Sequence, residues 1–197
     1  MPASGSEVTA QDIPSDADYA WQRKARRAAL LPIKRLRHIA LGPVCTFIFE
    51  SYDSLLFQVQ EMLLTEKGGV EQMLDELATH NPLIPQAGEM VATVTLQIED
   101  PVRRGVFLNQ LGGIDERFYL DLGGERIAAV PEGNIQRTRQ GGKTRSVHFV
   151  RFRFTQAQAT AFQTAGAQVT VGCDHPYYGH VAAIAEPSRA ELAQDLG

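Results

Sequence analysis

The stretch EMVATVTLQIE, residues 89–99, alternates two kinds of side chain along its whole length. One set is entirely apolar: Met90, Ala92, Val94, Leu96 and Ile98. The other set is mainly polar: Val91, Thr93, Thr95, Gln97 and Glu99. Successive side chains of a β-strand point to opposite faces, so a period of two predicts a long strand with one buried face.

A second stretch, SVHFVRFRFT at residues 146–155, has the same period. One face carries His148, Val150, Phe152 and Phe154. The other face carries Val147, Phe149, Arg151 and Arg153. His148 begins an apolar row, so we predict a buried histidine whose ring nitrogens are hydrogen-bonded. A metal ligand is the alternative for this residue.

The remaining elements surround these two strands. Hairpins are predicted where two short apolar runs flank a glycine turn, at 38–41 with 45–50 and at 118–122 with 126–130. Shorter strands are predicted at 168–171 and 181–185. Helices are predicted from apolar periodicity, prolines at helix starts and glycines at helix ends, at 16–31, 54–67, 70–80, 101–111, 156–165 and 187–196. This order predicts an α+β fold, a mainly antiparallel sheet with helices packed on it.

The length of 197 residues is typical of one domain with a well-buried core. Residues 1–15 are small and polar with two prolines, so we predict a disordered N-terminal tail. The single α+β domain is then expected to span residues 16–197.

Overall composition indicates an ordinary soluble protein. Hydrophobic residues make up 44%, charged residues 21%, and the net charge is -4, which makes nucleic acid an unlikely partner. No apolar run approaches the roughly 20 residues that span a bilayer, and the first residues do not resemble a secretion signal. We therefore expect a cytoplasmic protein without a membrane partner, in which Cys45 and Cys173 are free thiols.

Basic residues are concentrated near the N-terminus. No acidic residue occurs from Tyr19 to Phe49, whereas seven basic residues do: Arg23, Lys24, Arg26, Arg27, Lys34, Arg35 and Arg37. A surface for phosphate, RNA or an acidic partner is one interpretation. A solvated helix face is the other, and we favour it because no nucleic-acid module is recognisable.

The stretch CDHPYYGH, residues 173–180, is the densest in groups that bind metals or move protons. Asp174, His175 and His180 are two imidazoles and a carboxylate, a common set for a mononuclear iron or zinc site, and Glu61 or Glu50 could add an oxygen across the core. Pro176 and Gly179 predict a rigid turn at a strand end.

A structural role for the same turn is the alternative. Asp174 would then accept backbone N–H groups, and the two histidines would form hydrogen bonds or pack on Tyr177 and Tyr178. Cys173 alternates with Asp174 along the strand and is expected to be a buried, inert thiol.

Six ordered blocks of this sequence resemble an uncharacterised bacterial family known only as a domain of unknown function. The blocks are Ala40-Leu41-Gly42-Pro43, Thr46 with Phe49-Glu50, 58–63, 81–85, 147–149 and Asp174-His175-Pro176-x-Tyr178-x-His180. The resemblance covers residues 33–196. It implies a link to iron or peroxide handling, because genes of such proteins often lie beside those of rubrerythrin-like and iron-sulfur proteins. Cys173 and His80 depart from the family pattern.

Two hypotheses follow. The first is a cytoplasmic protein that binds iron or zinc through Asp174, His175, His180 and Glu61 and acts in redox or oxidative-stress metabolism, with no reaction assigned. The second is a metal-free accessory protein that binds a redox partner, such as a rubrerythrin-like or iron-sulfur protein, through the basic helix between Arg23 and Arg37.

Overall fold

The computed structural model describes residues 6–132 and 144–197. Within these residues the chain forms six α-helices and eight strands. Their order is α1 (Asp16–Leu36), β1 (His38–Leu41), β2 (Cys45–Phe49), α2 (Tyr52–Glu66), α3 (Gly69–His80), β3 (Glu89–Leu96), α4 (Pro101–Gln110), β4 (Phe118–Leu122), β5 (Glu125–Pro131), β6 (Val147–Arg153), α5 (Gln156–Gln163), β7 (Val169–His175), β8 (Tyr178–Ala183) and α6 (Glu186–Leu192). None of the helices in the described ranges is long and apolar enough to cross a membrane.

The eight strands form one antiparallel sheet in the order β1-β2-β3-β6-β5-β4-β7-β8. The predicted α+β class is therefore confirmed. The two strands predicted from their alternation, β3 and β6, pair with each other, and Met90 lies opposite Phe152. Their predicted apolar rows both face the core.

The sheet curls until its first and last strands nearly meet, which gives an almost closed barrel. Tyr178 of β8 bridges the two edges, because its hydroxyl donates to the carbonyl of Leu41 (2.5 Å) and accepts from the backbone N–H of Cys45 (3.2 Å). This side chain therefore substitutes for strand pairing at the seam between β8 and β1.

The barrel interior is the main hydrophobic core. Aromatic rings fill its centre, and Phe47 meets Phe118 edge to face with ring centroids 5.0 Å apart. Leu111 and Ile114, which follow α4, enter the core from the end where β7 turns into β8. Phe162 of α5 and Leu192 of α6 enter it from the other end.

A second apolar cluster lies on the outer face of the sheet, where α2 and the segment after α3 cover β3. Its buried residues are Val8, Leu55, Leu83, Ile84 and Val91. Val8 exchanges backbone hydrogen bonds with the Asn81 side chain (2.9 Å each). Within the predicted disordered tail 1–15, Val8 is therefore buried and hydrogen-bonded, whereas most of residues 6–15 are exposed; residues 1–5 lie outside the described residues.

Helix α1 runs five residues beyond its predicted end at Leu31. Pro32 lies inside the helix, where it removes the hydrogen bond to the carbonyl of Ala28. Both residues are exposed, so water can bind that carbonyl. Arg37 caps the C-terminal end of the helix, and its buried guanidinium donates to the carbonyls of Phe49 and Glu50 and pairs with Asp195 and Glu191.

Candidate functional site

The predicted metal-binding stretch forms the β7–β8 hairpin. Asp174 and His175 belong to β7 itself, so the predicted turn contains only Pro176 and Tyr177. Across the hairpin Cys173 lies opposite His180, and His175 lies opposite Tyr178. His175 and His180 are therefore diagonal neighbours on the inner face, and Asp174 points to the outer face.

Both ring nitrogens of His175 already have backbone partners. The Nε2–H group donates to the carbonyl of Gly112 (3.2 Å), and Nδ1 accepts the backbone N–H of Tyr177 (3.3 Å). This pairing requires a neutral imidazole with its hydrogen on Nε2. The side chain holds the β7–β8 turn against the loop after α4, as the structural alternative for this residue predicts.

Asp174 holds an arginine on the outer face of the sheet. Its carboxylate lies 3.4 Å from Nη1 of Arg126, and that guanidinium lies over the Tyr119 ring at 3.9 Å from the centroid. The Tyr119 ring in turn covers Gly172, where an added Cβ would come within 2.3 Å of it. Asp174 is thus one component of a surface stack on β4, β5 and β7.

His180 packs at the seam of the barrel. Its ring lies 4.4 Å from the Tyr178 ring and directly over Gly42 in the β1–β2 turn. Gly42 has a φ of 65°, and a Cβ there would lie 2.7 Å from the His180 ring. Burial raises the pKa of Tyr178 to about 12, so its hydroxyl stays protonated and can donate to Leu41.

Glu61 lies in a different layer of the molecule, on α2. Its carboxylate accepts two hydrogen bonds from Arg23 and one from the Tyr19 hydroxyl, all at 2.7 Å. The Arg23 hydrogen bonds, more than any other cause, lower the pKa of Glu61 to about 2. Glu50, the other candidate, accepts from Ser54 (2.8 Å) and Thr93 (2.7 Å).

The structure places His175 and His180 on one face of the hairpin, Asp174 on the opposite face and Glu61 on α2. In residues 6–132 and 144–197 no three His, Cys, Asp or Glu side chains are grouped closely enough to hold a metal ion. Metal binding by Asp174, His175, His180 and Glu61 stays a prediction that needs a direct measurement.

The two cysteines are free thiols, as predicted, and both are buried. Burial raises the pKa of Cys45 to about 12 and that of Cys173 to about 11. Thiols of this kind are poor nucleophiles at neutral pH, which agrees with the predicted inert Cys173.

The most exposed aromatic residue of the described chain lies on α1. Trp21, the protein's single tryptophan, is 85% exposed. Helix α1 packs on α2 with Tyr19 and Leu30 buried, and most of its other residues are exposed. The period of 3.6 residues puts Trp21, Ala25, Ala28 and Pro32 on one exposed side, which we call the apolar face of α1.

Exposed basic residues flank the apolar face: Lys24, Arg27 and Arg35. Lys24 lies three residues after Trp21 and is therefore its neighbour on the helix surface. No carboxylate of the described segments lies within 4.0 Å of these three cations, whereas Arg23 pairs with Glu61. The sequence predicted the cluster of basic residues but not the exposure of Trp21. The position of Trp21 within the segment that lacks acidic residues was the only sequence signal for it.

Comparisons with known proteins give a family and a fold. A family model described as "Protein of unknown function (DUF3501)" matches residues 7–196. A crystal structure described as a novel protein of unknown function from Burkholderia pseudomallei K96243 is 30% identical, with a TM-score of 0.88. The match covers 97% of this chain and 100% of that one. No curated protein matches the chain.

Proposed function

Because this chain belongs to the DUF3501 family of proteins of unknown function, its role has to be inferred from its own surface, and we propose that it is a binding module that holds an acidic partner protein on helix α1. The observation that carries this proposal is the 85% exposure of Trp21 on the apolar face of α1, which the exposed cations Lys24 and Arg35 flank. The predicted resemblance to an uncharacterised family is confirmed by the family match and gives no activity.

An exposed tryptophan favours a binding surface on energetic grounds. Tryptophan and arginine are the residues most enriched among those that dominate the energy of protein interfaces. Trp21 is surrounded by Ala25 and Ala28, whose small side chains allow another element to approach the helix closely. In the free protein the exposed indole contributes no burial free energy, whereas a partner that covered it would gain that free energy.

The charges that flank the apolar face of α1 favour an acidic partner. Lys24, Arg27 and Arg35 would attract a negatively charged surface, accelerate association and orient the complex. A second copy of this chain would bring basic residues against basic residues, which charge repulsion disfavours. The partner is therefore expected to combine acidic side chains with an apolar surface for Trp21.

The family resemblance supplies the first partner candidates. Rubrerythrin-like and iron-sulfur proteins are the class that it implies, so the protein would act as a cytoplasmic accessory protein of redox or oxidative-stress metabolism. This partner class rests on the resemblance alone, and the acidic character of the partner rests on α1.

Site-specific photo-crosslinking tests the proposal. A photoreactive amino acid replaces Trp21 in the full-length protein in its native cells, and a matched control replaces Val102, which is 76% exposed on α4. We expect an acidic protein to crosslink at position 21 and not at position 102. The captured protein, and purified rubrerythrin-like and iron-sulfur candidates, are then titrated with the unmodified chain.

Salt and charge reversal complete the test. The affinity should fall as salt rises, because the attraction between exposed charges is screened. The double variant Lys24→Glu, Arg35→Glu should bind much more weakly, whereas Arg103→Glu on α4 should bind normally. Equal crosslinking from both positions, or binding that is insensitive to Lys24 and Arg35, would contradict the proposal.

Metal binding is the second proposal. It is favoured by one observation, the diagonal placement of His175 and His180 on one face of the hairpin. An iron or zinc ion there would bind one ring nitrogen of His175 and would have to displace the hydrogen bond of that nitrogen. Elemental analysis of tag-free protein from iron- and zinc-supplemented cells tests it: about one metal per chain, lost in a folded His175→Ala, His180→Ala variant, would establish the site.

A further inference from the structure

A groove of about 250 Å³ lies between α1 and α2, on the side of α1 next to its apolar face. Its walls are mostly apolar: Ala29, Leu30 and Ile33 from α1, and Leu56 and Phe57 from α2. Ala29 and Ala25 are neighbours on the helix surface, so the apolar face of α1 continues into this groove without a polar interruption.

One end of the groove carries hydrogen-bond donors. Gln60 is only 3% exposed, and its Nε2 group has no acceptor in the described part of the chain. Its Oε1 atom accepts from Nη1 of Arg26 (3.2 Å), and Nε of Arg26 donates to Gln22 (3.0 Å). Both partners of Arg26 are thus neutral amides, and no described carboxylate lies within 4.0 Å of its guanidinium.

A buried amide without an acceptor is costly, and few occur in native proteins. An oxygen atom entering this end of the groove would satisfy Gln60, and a carboxylate would also pair with Arg26.

We infer that this groove receives one apolar side chain of the acidic partner, with an adjacent carboxylate on Arg26 and Gln60. The inference rests on the proposed function and names the part of the partner that gives specificity. The size supports a single side chain, since pockets for complete small-molecule ligands usually measure about 300–1,000 Å³. The charge of Arg26 matches the acidic partner that α1 selects.

Nuclear magnetic resonance with small probes tests the groove without the partner. N-acetyl-L-leucine offers an aliphatic side chain next to a carboxylate; N-acetylglycine lacks the side chain, and N-acetyl-L-leucinamide lacks the charge. We expect N-acetyl-L-leucine at millimolar concentration to shift the Gln60 side-chain amide and the methyl groups of Leu30 and Leu56. The amide probe should bind at least several-fold more weakly, and N-acetylglycine should cause no shift.

Two variants make the result specific. Ala29→Phe fills the groove from an exposed position and should abolish the shifts, and Gln60→Leu removes the unpaired amide and should weaken carboxylate binding several-fold without loss of folding. Absence of shifts, or shifts that persist in Ala29→Phe, would overturn the inference.

The groove and the proposed function can fail separately. If Trp21→Ala weakens partner binding and Ala29→Phe does not, α1 binds the partner and the groove is not used. If neither variant changes partner binding, the proposed function itself is wrong, whatever the probes show.

Discussion

The β7–β8 hairpin and helix α1 differ in whether the side chains that could bind a ligand or a partner already have contacts within the protein. In the hairpin, His175 donates to Gly112, Asp174 holds Arg126, and Tyr178 bridges to Leu41. On α1, Trp21 is almost fully exposed and Lys24 has no carboxylate nearby in the described residues. The hairpin contains more groups that can bind a metal or move a proton, whereas the groups on α1 are more exposed and can contact a partner.

The difference shows that the density of histidines and carboxylates is a weak guide to function unless their partners are known. A side chain that already satisfies the backbone contributes to stability, and a ligand must first displace that contact. An exposed tryptophan has no such contact to lose. Variants in the hairpin should therefore affect folding, and variants on α1 should affect binding.

The largest effect is expected in the hairpin. Tyr178→Ala removes a buried ring that packs on Phe107 and the hydroxyl that closes the barrel seam. We expect the free energy of unfolding to fall by about 3–5 kcal/mol, measured by urea denaturation. Tyr177→Ala is the control, since this neighbour is 65% exposed and should cost less than about 0.5 kcal/mol. Equal losses for both variants would contradict the role given to Tyr178.

The second effect concerns α1. Trp21→Ala should weaken binding of the acidic partner by about 2 kcal/mol or more, roughly 30-fold, because it removes the exposed aromatic anchor. Its unfolding free energy should change by less than about 0.5 kcal/mol, because the side chain is exposed in the free protein. Titration calorimetry and urea denaturation of the same preparation measure both values. A large stability loss with unchanged affinity would reverse the assignment.

A smaller effect is expected at the contact between α1 and α2, where Glu61 should make stability depend on pH. The folded-state pKa of Glu61 is about 2, below its ordinary value of 4.5, so the folded state binds fewer protons between these values. The stabilisation that ionised Glu61 gives to the folded state is complete above about pH 4.5 and is lost as the pH falls toward 2. We expect about 1 kcal/mol at most, because water screens the half-exposed Arg23.

The variant Glu61→Gln tests this pH dependence. Its stability should lie below that of the parent protein at pH 7 and should fall less between pH 4.5 and 2, as followed by urea denaturation at each pH. Curves that remain parallel over this interval would show that Glu61 does not stabilise the contact between α1 and α2.

The smallest effect is expected at Asp174. Both Asp174 and Arg126 have about half of their side-chain surface exposed, so their pair should contribute about 0.5 kcal/mol or less. Asp174→Asn should therefore leave stability, and any metal content measured by elemental analysis, nearly unchanged. A metal content that falls with this variant would favour the metal hypothesis instead.

The sequence predicted the sheet well because alternation in β3 and β6 is a local property of the chain. It also placed Cys173 and Asp174 on opposite faces by the same reasoning. The turn of the hairpin was predicted too long, since Pro176 and Tyr177 alone form it and β7 continues through His175. The carbonyl of Gly112 that occupies His175 lies 63 residues away along the chain, and no local pattern could have identified it.

The exposure of Trp21 also depends on distant contacts. The sequence predicted a helix from Asp16, but it could not show which side α2 covers. That side is fixed by Arg23 and Tyr19, which reach Glu61 at a separation of about forty residues. These two partners of Glu61 are visible only in three dimensions, and its predicted role as a metal ligand stays a prediction.

The central claim, that α1 binds an acidic partner through Trp21, is tested most directly by ¹⁹F nuclear magnetic resonance of protein labelled with 5-fluorotryptophan. The single tryptophan gives one resonance, and the unlabelled partner adds none. We predict a resonance with a large H₂O/D₂O solvent shift. It should move or broaden when the acidic partner identified by crosslinking is added, and it should recover at high salt. A resonance that is already insensitive to solvent, or that stays unchanged at saturating partner, would contradict the claim.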